Sequence, residues 1–473
     1  MLHCRKSRIS SSALHTRRFS CILAAMTKSI EQNNELYALT WIGKQEAIRL
    51  AHTPTRLKLH PLPAESLEFD KTENIFIEGD NLEGLKLLRG KYTGRIKMIY
   101  IDPPYNTRND FVYNDNFSDP LHAYLKKTGQ KNKGTNTPEI NGRFHAAWLS
   151  MMYPRLMAAR ELLADQGVIF VSIDDNEVHN LRLIMNEIFG EECFKNTIIF
   201  RRGIKSVQAQ FDTVSSLTVG HEYVLMYAKN PAARFRKLEI ELEESKPGAW
   251  NNHWRGTNRP TMRYELFGIT PERGQWRWGR ERSLKAIKNY KRMLSELGTV
   301  NGALSQEQID AWYLKQIEAT GEKCDLLRLS ASGKPEHYVP PTGTKLGSDL
   351  WIDLNPKGTN ELDKLLGTRA FDNPKPTALI RRMLKFTTEP HANDIVLDFF
   401  AGSGSTAQAV MELNREDGGN RKFILIQIPE PLDHRDFRTI AEVCKERIRR
   451  VARQMKSQEI HGDFGFKVFK LGE

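Results

Sequence analysis

The chain has 473 residues, 40% hydrophobic and 27% charged, a balance typical of globular domains and enough length for two or three of them. No apolar run reaches the roughly 18 residues a transmembrane helix needs, and a formal net charge of +12 favours a polyanionic partner. Cys4, Cys21, Cys193, Cys324 and Cys444 contain no C-x-x-C pair, which excludes a disulfide framework and a cysteine zinc site and fits free thiols in a reducing cytoplasm.

Residues 1–25 carry Arg5, Lys6, Arg8, Arg17 and Arg18, no acid and many serines. That composition resembles an organellar targeting leader, but nothing downstream looks organellar, so a start upstream of a true beginning at Met26 is the simpler reading. After an extension over 26–70, "NIFIEGDNLEGLKLLRGKY" reads as a strand and a helix capped by Asp80 or Asn81, with Leu82, Leu85 and Leu88 on one face. "IKMIYID" is a continuous apolar strand of the kind buried on both faces. "WLSMMYPRLMAARELLADQG" predicts a helix closing on Gly167, "VIFVSID" another buried strand, and "DNEVHNLRLIMNEIFG" a helix with Gly190 past its end. "HEYVLMYAKN" is a further strand.

From 231 to 365 the strand–helix rhythm stops in a segment rich in Arg, Trp and Lys, which reads as an inserted domain. Over 366–473 the rhythm resumes with "TALIRRMLKFT", "DIVLDFF", "STAQAVMELN", "KFILIQI" and "FRTIAEVCKERIRRVARQM". The expected fold is α/β, a doubly wound and mostly parallel Rossmann-like sheet whose halves, 71–230 and 366–473, flank the insert.

"DIVLDFFAGSGSTAQAV" places Asp398 near the end of a buried strand and Gly402 and Gly404 in the turn that opens a helix. Glycines there let the backbone approach a ligand, and the helix N-terminus offers free N–H donors. The spacing meets the dinucleotide fingerprint only loosely, so the turn alone admits any nucleotide or none. Glu430 ends the next strand, where a ribose diol would be hydrogen-bonded; a solvated loop carboxylate is the plain alternative. No G-x-x-x-x-G-K-[ST] occurs, which excludes a P-loop ATPase or helicase in this chain.

"YIDPPYNTRNDFVYND", from Tyr100, runs an apolar strand into two prolines that remove backbone donors and fix φ. Asp102 offers acceptors and Tyr105 a flat face on a stiff turn, while Pro103 and Pro104 free neighbouring carbonyls from strand pairing. An amino group beside an aromatic face describes a nucleobase taken out of its stack. Hydrogen bonds from that amine to Asp102 and the Pro103 carbonyl would orient the nitrogen for attack, with no metal or covalent nucleophile required.

"DPPYNT" with "FAGSGST" resembles the amino-methyltransferases that use S-adenosylmethionine, and aspartate in the first position is usual for N6-adenine enzymes. The catalytic motif precedes the cofactor motif across a large insert, which is the β-class order with a target-recognition domain in the insert. More narrowly, "LTWIGKQEAIRLA", "TENIFIEGDNLEGLKLL", "MIYIDPPYNTRNDFVYND", "VIFVSIDDNEVHNLRLIMNEIFG", "HEYVLMYAKN", "FDNPKPTALI" and "FGFKVFKL" resemble Mod, the modification subunit of type III restriction–modification systems. The resemblance runs from about Leu36 to Leu471. It implies that Asp102, Pro103, Pro104 and Tyr105 are catalytic. It also implies that Phe400, Gly402, Gly404, Glu430, Lys375 and Pro376 contact S-adenosylmethionine, with Asp80 near the cofactor; the 398–404 turn, Asp398 included, is expected to hold it.

In the insert, Trp254, Arg255, Arg263, Arg273, Trp276, Arg277 and Arg280 interleave aromatics with arginines, a composition suited to phosphates, guanine edges and displaced bases. A small domain with tryptophans in its core explains the same residues, and about half of them are expected there. Mod subunits of the family continue past "FKVFKL", form dimers and recruit a Res subunit carrying helicase and nuclease; this chain stops at Glu473, which puts dimerisation, DNA binding and Res recruitment in question. The expected function is cytoplasmic, site-specific methylation of adenine N6 in double-stranded DNA. N4-cytosine methylation and an inactive DNA-binding remnant are the rivals, and aspartate at 102 disfavours a protein or RNA methylase.

Overall fold

The computed structural model describes residues 38–107, 138–203, 216–298, 304–457 and 462–473; the leader expected at 1–25 and the stretch "RNDFVYND" after the DPPY turn lie outside them. The chain divides into two compact units, 1–236 with 349–473, and 237–348.

The first unit is built on one sheet. Its strands are β1 (Lys58–Pro61), β2 (Ile75–Glu78), β3 (Ile96–Ile101), β4 (Leu163–Ile173), β5 (Phe194–Arg201) and β6 (His221–Ala228). After β7 to β13, which lie within 239–346 in the second unit, come β14 (Leu350–Trp351), β15 (Ile395–Asp398), β16 (Lys422–Gln427) and β17 (Lys467–Gly472). The strand order is β1-β17-β2-β16-β15-β3-β4-β6-β5-β14. From β17 to β4 every pairing is parallel, and β6 runs antiparallel between β4 and β5. β1 is antiparallel on β17, and β14 parallel on β5.

The apolar runs behave as parallel-sheet strands should. Ile96, Met98, Ile99 and Ile101 of β3 are all fully buried, each side chain contributing about 1.5–3 kcal/mol through burial. Asp80 caps the helix Asn81–Tyr92, its carboxylate accepting from the Glu83 amide at 3.0 Å, and Leu82, Leu85 and Leu88 face the core. Because β3 leads on to β4 and β15 to β16, the order reverses between the adjacent β3 and β15. The crevice at their carboxyl ends is where open α/β sheets bind ligands.

The structure departs from expectation in three places. The helix Pro138–Leu162 stops before Gly167, because Leu163 already pairs with Ile96 and the register then shifts by a bulge. A Cβ on Gly167 would lie 2.7 Å from the Ala164 carbonyl oxygen and 2.9 Å from that of Ile96, so the bulge needs glycine. The outer strands β1, β17, β5 and β14, of which β1 and β14 are the edges, escape the periodic pattern, being short or exposed on one side. Finally, the second unit spans 237–348 rather than 231–365, since β14 pairs with β5 and Leu362 and Leu366 of the helix Gly358–Leu366 pack with Phe437 and Val443.

The second unit holds the helices Arg280–Glu296 and Gln306–Thr320 and small antiparallel sheets. Its buried clusters centre on Met293, Trp312 and Tyr338, and on Leu266, Trp276 and Trp278. No helix among the described residues is long and apolar enough to cross a membrane.

Candidate active site at the carboxyl ends of β3 and β15

The two prolines end β3 at Ile101 and the turn that follows is pinned from behind. The Trp148 indole N–H donates to the Pro104 carbonyl at 2.7 Å, leaving Pro103's as the carbonyl next to Asp102. Asn106 adopts φ 56°, a region asparagine tolerates, and its side-chain amide donates to the buried Glu177 carboxylate. Glu177 also meets the His145 ring at 2.6 Å and accepts from Asn180 at 2.8 Å. DPPY is thus held by residues from two helices, which pre-organises Asp102 and Tyr105.

Two further residues complete the cluster. The Lys375 ammonium lies 3.2 Å from Asp102 Oδ1, 3.1 Å from Glu222 Oε2 and 2.8 Å from the Tyr105 hydroxyl oxygen, and 4.8 Å from the centre of the Tyr105 ring. Tyr105 in turn donates to Glu222 at 3.2 Å. Burial raises the Asp102 carboxyl above its ordinary range, with Lys375 opposing and Glu222 reinforcing the shift. Burial works against charge on Lys375, yet the two carboxylates outweigh it and its pKa is raised. Burial also pushes the Tyr105 hydroxyl well up, so it stays protonated. The "NPKP" lysine thus directs its ammonium to Asp102, Glu222 and Tyr105. The reason is electrostatic, because two carboxylates lie within reach.

Glu222 was not singled out from sequence. A signal existed: it is the lone carboxylate in "HEYVLMYA", a strand otherwise largely buried and apolar, and such a group must find a partner.

On β15, Asp398 is buried, with Oδ1 accepting from the Phe400 amide at 3.0 Å and Oδ2 from the Thr406 hydroxyl at 2.6 Å. Its carboxylate shapes the glycine turn from both oxygens. Gly402 sits at φ 51° and donates to Gln427 Oε1 at 2.7 Å; Gly404 sits at φ 83°, where a Cβ would be 2.9 Å from Cys444 Sγ. Gly404 thus needs both freedoms of glycine. Phe400 is buried against Phe399. From below, the buried Arg447 donates to Ser403 at 3.0 Å, Ser405 at 2.8 Å and Gln408 at 2.7 Å and pairs with Glu361 at 3.1 Å.

Asp80 ends beside this turn through a chain of contacts: it pairs with the buried Arg155 at 3.1 Å, Arg155 donates to Asn81, and Asn81 donates to the Phe399 carbonyl at 2.8 Å. Pro376 caps the helix Thr377–Thr387, and the Ser405 hydroxyl donates to the Lys375 carbonyl at 2.8 Å, so the "NPKP" backbone touches the cofactor turn. Glu430 lies just past β16, half-buried, and burial alone raises its pKa; among the described residues its carboxylate has no hydrogen-bond partner.

Burial raises Asp398 to about 7, which has a consequence for stability. The folded chain keeps a proton that the unfolded chain releases near pH 4, so stability falls as pH rises from about 4 through about 7 and levels off above. Asp398→Asn is expected to flatten that slope in denaturant titrations at stepped pH; an unchanged slope would reject the assignment.

The DNA methylase family profile matches residues 96–432. The chain is 34% identical to the type III restriction-modification enzyme StyLTI Mod subunit of Salmonella typhimurium, covering 98% of this chain and 70% of that protein. It is 32% identical to the EcoPI Mod subunit of Escherichia phage P1, covering 93% and 72%. It is 31% identical to the EcoP15I Mod subunit of Escherichia coli, again covering 93% and 72%. This chain belongs to the DNA methylase family, as a type III Mod subunit.

In the second unit of this Mod chain, the seven residues singled out separate into two groups. Trp276 is core, 2% exposed, its indole donating to the Tyr264 carbonyl at 2.8 Å. Arg263 is engaged in holding a turn, donating to the Gly274 carbonyl at 2.8 Å, to that of Glu272 and to Asn258. Trp254 is 39% exposed, and a Cβ on Gly274 would come within 2.5 Å of its ring. Arg255, Arg273 and Arg280 are exposed and Arg277 half-buried. In the pairing of β9 (Trp254–Arg255) with β10 (Gln275–Trp276), Trp254 lies directly opposite Trp276, so the two share a face; the division follows the strand, both residues of β10 being buried and both of β9 exposed. Beneath them, burial and then the neighbouring His337, Arg277 and Arg282 lower His253 to about 3 and keep it neutral.

Proposed function

We propose that this Mod chain methylates the N6 amine of adenine in double-stranded DNA, using S-adenosylmethionine. The observation that carries the reading is the juxtaposition of the DPPY turn on β3 with the glycine turn on the adjacent β15. The residues present fit the cofactor: Glu430 offers a half-buried carboxylate for a diol, and Gly402 and Gly404 open the backbone at a helix N-terminus. When bound, the cofactor supplies a sulfonium methyl whose C–S bond breaks as the N–C bond forms, leaving a thioether and transferring the positive charge to nitrogen.

The chain's own part is orientation and charge. Asp102 and the Pro103 carbonyl accept the two amine hydrogens, which turns the nitrogen lone pair out of conjugation, and Tyr105 offers its ring to the flipped base. The methylated nitrogen then sheds one proton to solvent. Trp254, Arg255, Arg273, Arg277 and Arg280 supply the DNA contacts in this reading, and a Res subunit and a second Mod copy are its protein partners.

The test is methyl incorporation from labelled S-adenosylmethionine into unmethylated DNA, followed by identification of the base. N6-methyladenine supports the reading; N4-methylcytosine would overturn the choice of base, and no incorporation with cofactor bound would overturn the activity. Arg255→Ala is expected to weaken DNA binding several-fold regardless of sequence and to reduce the slope of log affinity against log salt by about one. Binding isotherms at three salt concentrations check this, and an unchanged slope would remove Arg255 from the interface.

A further inference from the structure

The Lys375 ammonium is enclosed by two carboxylates and a hydroxyl, with Glu222 Oε2 at 3.1 Å and Asp102 Oδ1 at 3.2 Å. Were Lys375 and Asp102 alone together, their charges would cancel. With Glu222, 8% exposed on β6, the cluster carries one net negative charge. That sign is the one required where an amine nitrogen becomes positive.

Lys375 is also clamped along its backbone. Its carbonyl accepts from Ser405 at 2.8 Å, and a Cβ on Gly358 would lie 2.0 Å from the preceding Pro374 carbonyl oxygen. The ammonium is therefore delivered to a fixed place, and Tyr105 is held by both partners, accepting from Lys375 and donating to Glu222.

We propose that Glu222 and Lys375 are positioning residues, Glu222 offsetting the lysine's charge so that Asp102 keeps the negative field that faces the target amine, and the pair together fixing Tyr105. The inference rests on the amine-methylation reading above. Neither residue forms or breaks a bond; the methyl group, the C–S bond and the departing proton are accounted for as already described.

The experiment is a double-mutant cycle on the full chain with Glu222→Gln, Lys375→Met and both together. It reads kcat and KM with DNA and cofactor, and thermal unfolding without cofactor. E222Q is expected to lower kcat about 100-fold with little change in KM, because Lys375 then neutralises Asp102. K375M is expected to lower kcat as well, because two facing carboxylates then share a proton. The double variant should exceed either single variant by about tenfold in kcat, since Asp102 is again the one uncompensated charge, and its loss of thermal stability should be smaller than the sum of the two. Glu222→Asp, which keeps the charge, should retain more activity than E222Q, a rescue that a purely space-filling role would not produce. Additive losses in both readouts, or a wild-type kcat for E222Q, would overturn the proposal. A wild-type chain that methylates no DNA would instead overturn the proposed function, and the cofactor-free thermal cycle would still decide the charge coupling.

Discussion

Asp102→Ala is expected to lower the methyl-transfer rate by about 1000-fold or more while S-adenosylmethionine binds as before. The aspartate sits at the end of β3, whereas the glycine turn on β15 is built by Asp398, Gln427 and Arg447, none of which the substitution touches. The two properties should therefore separate. Stability should change little. Burial already raises the Asp102 pKa, so the ionised carboxylate is an unfavourable group to bury, and Lys375 retains Glu222 and Tyr105 once it is gone. Single-turnover rates with labelled cofactor, paired with equilibrium dialysis of the same preparation, make the measurement. Turnover near the wild-type rate would remove Asp102 from the chemistry, and loss of cofactor binding would show that the two turns are not independent.

Arg447→Ala carries the largest expected effect on folding, a destabilisation of about 3–5 kcal/mol. Arg447 is fully buried in the helix Ile440–Ser457 and its guanidinium satisfies Ser403, Ser405, Gln408 and Glu361 at once. Alanine leaves the half-buried Glu361 carboxylate without its cation and Ser403, Ser405 and Gln408 without their buried donor, and it loosens the start of the helix Ser405–Asp417, so cofactor affinity should fall along with stability. Arg447→Lys keeps the charge but not the planar fork, and should recover part of the stability and less of the affinity. Denaturant unfolding with cofactor titration checks both; a loss below about 1 kcal/mol would mean that the turn holds itself, against the usual cost of breaking a buried pair.

The legibility of this site in sequence divides by distance along the chain. The DPPY turn and the glycine turn are local: prolines forbid continued strand pairing and positive φ demands glycine whatever the rest of the chain does. Asp102, Tyr105, Gly402 and Gly404 could be recognised for that reason. Glu222 could not be assigned a role, because it lies 117 residues from Tyr105 and only the sheet order brings β6 near the DPPY turn. Lys375 was found by resemblance, yet its ammonium answers to Asp102 and Glu222, both far away in sequence. Among the insert's aromatics, composition could not separate Trp254 from Trp276. They are cross-strand partners on one face of the β9–β10 pair, and burial is decided by what packs on each strand.

What the residues determined by themselves were the things that depend on neighbours in the chain: apolar strands, helix caps, and the two turns that cannot be anything but turns. Tertiary structure alone decided the charge of the active site, because that is a sum over Asp102, Glu222 and Lys375, whose separations are set by the packing of three elements. It also decided where the insert ends, since the two residues of β14 have no pattern of their own and become a strand only by pairing with β5. Local sterics act within a few bonds and can be read along a sequence, whereas electrostatics and burial act through space and exist only once the chain has folded.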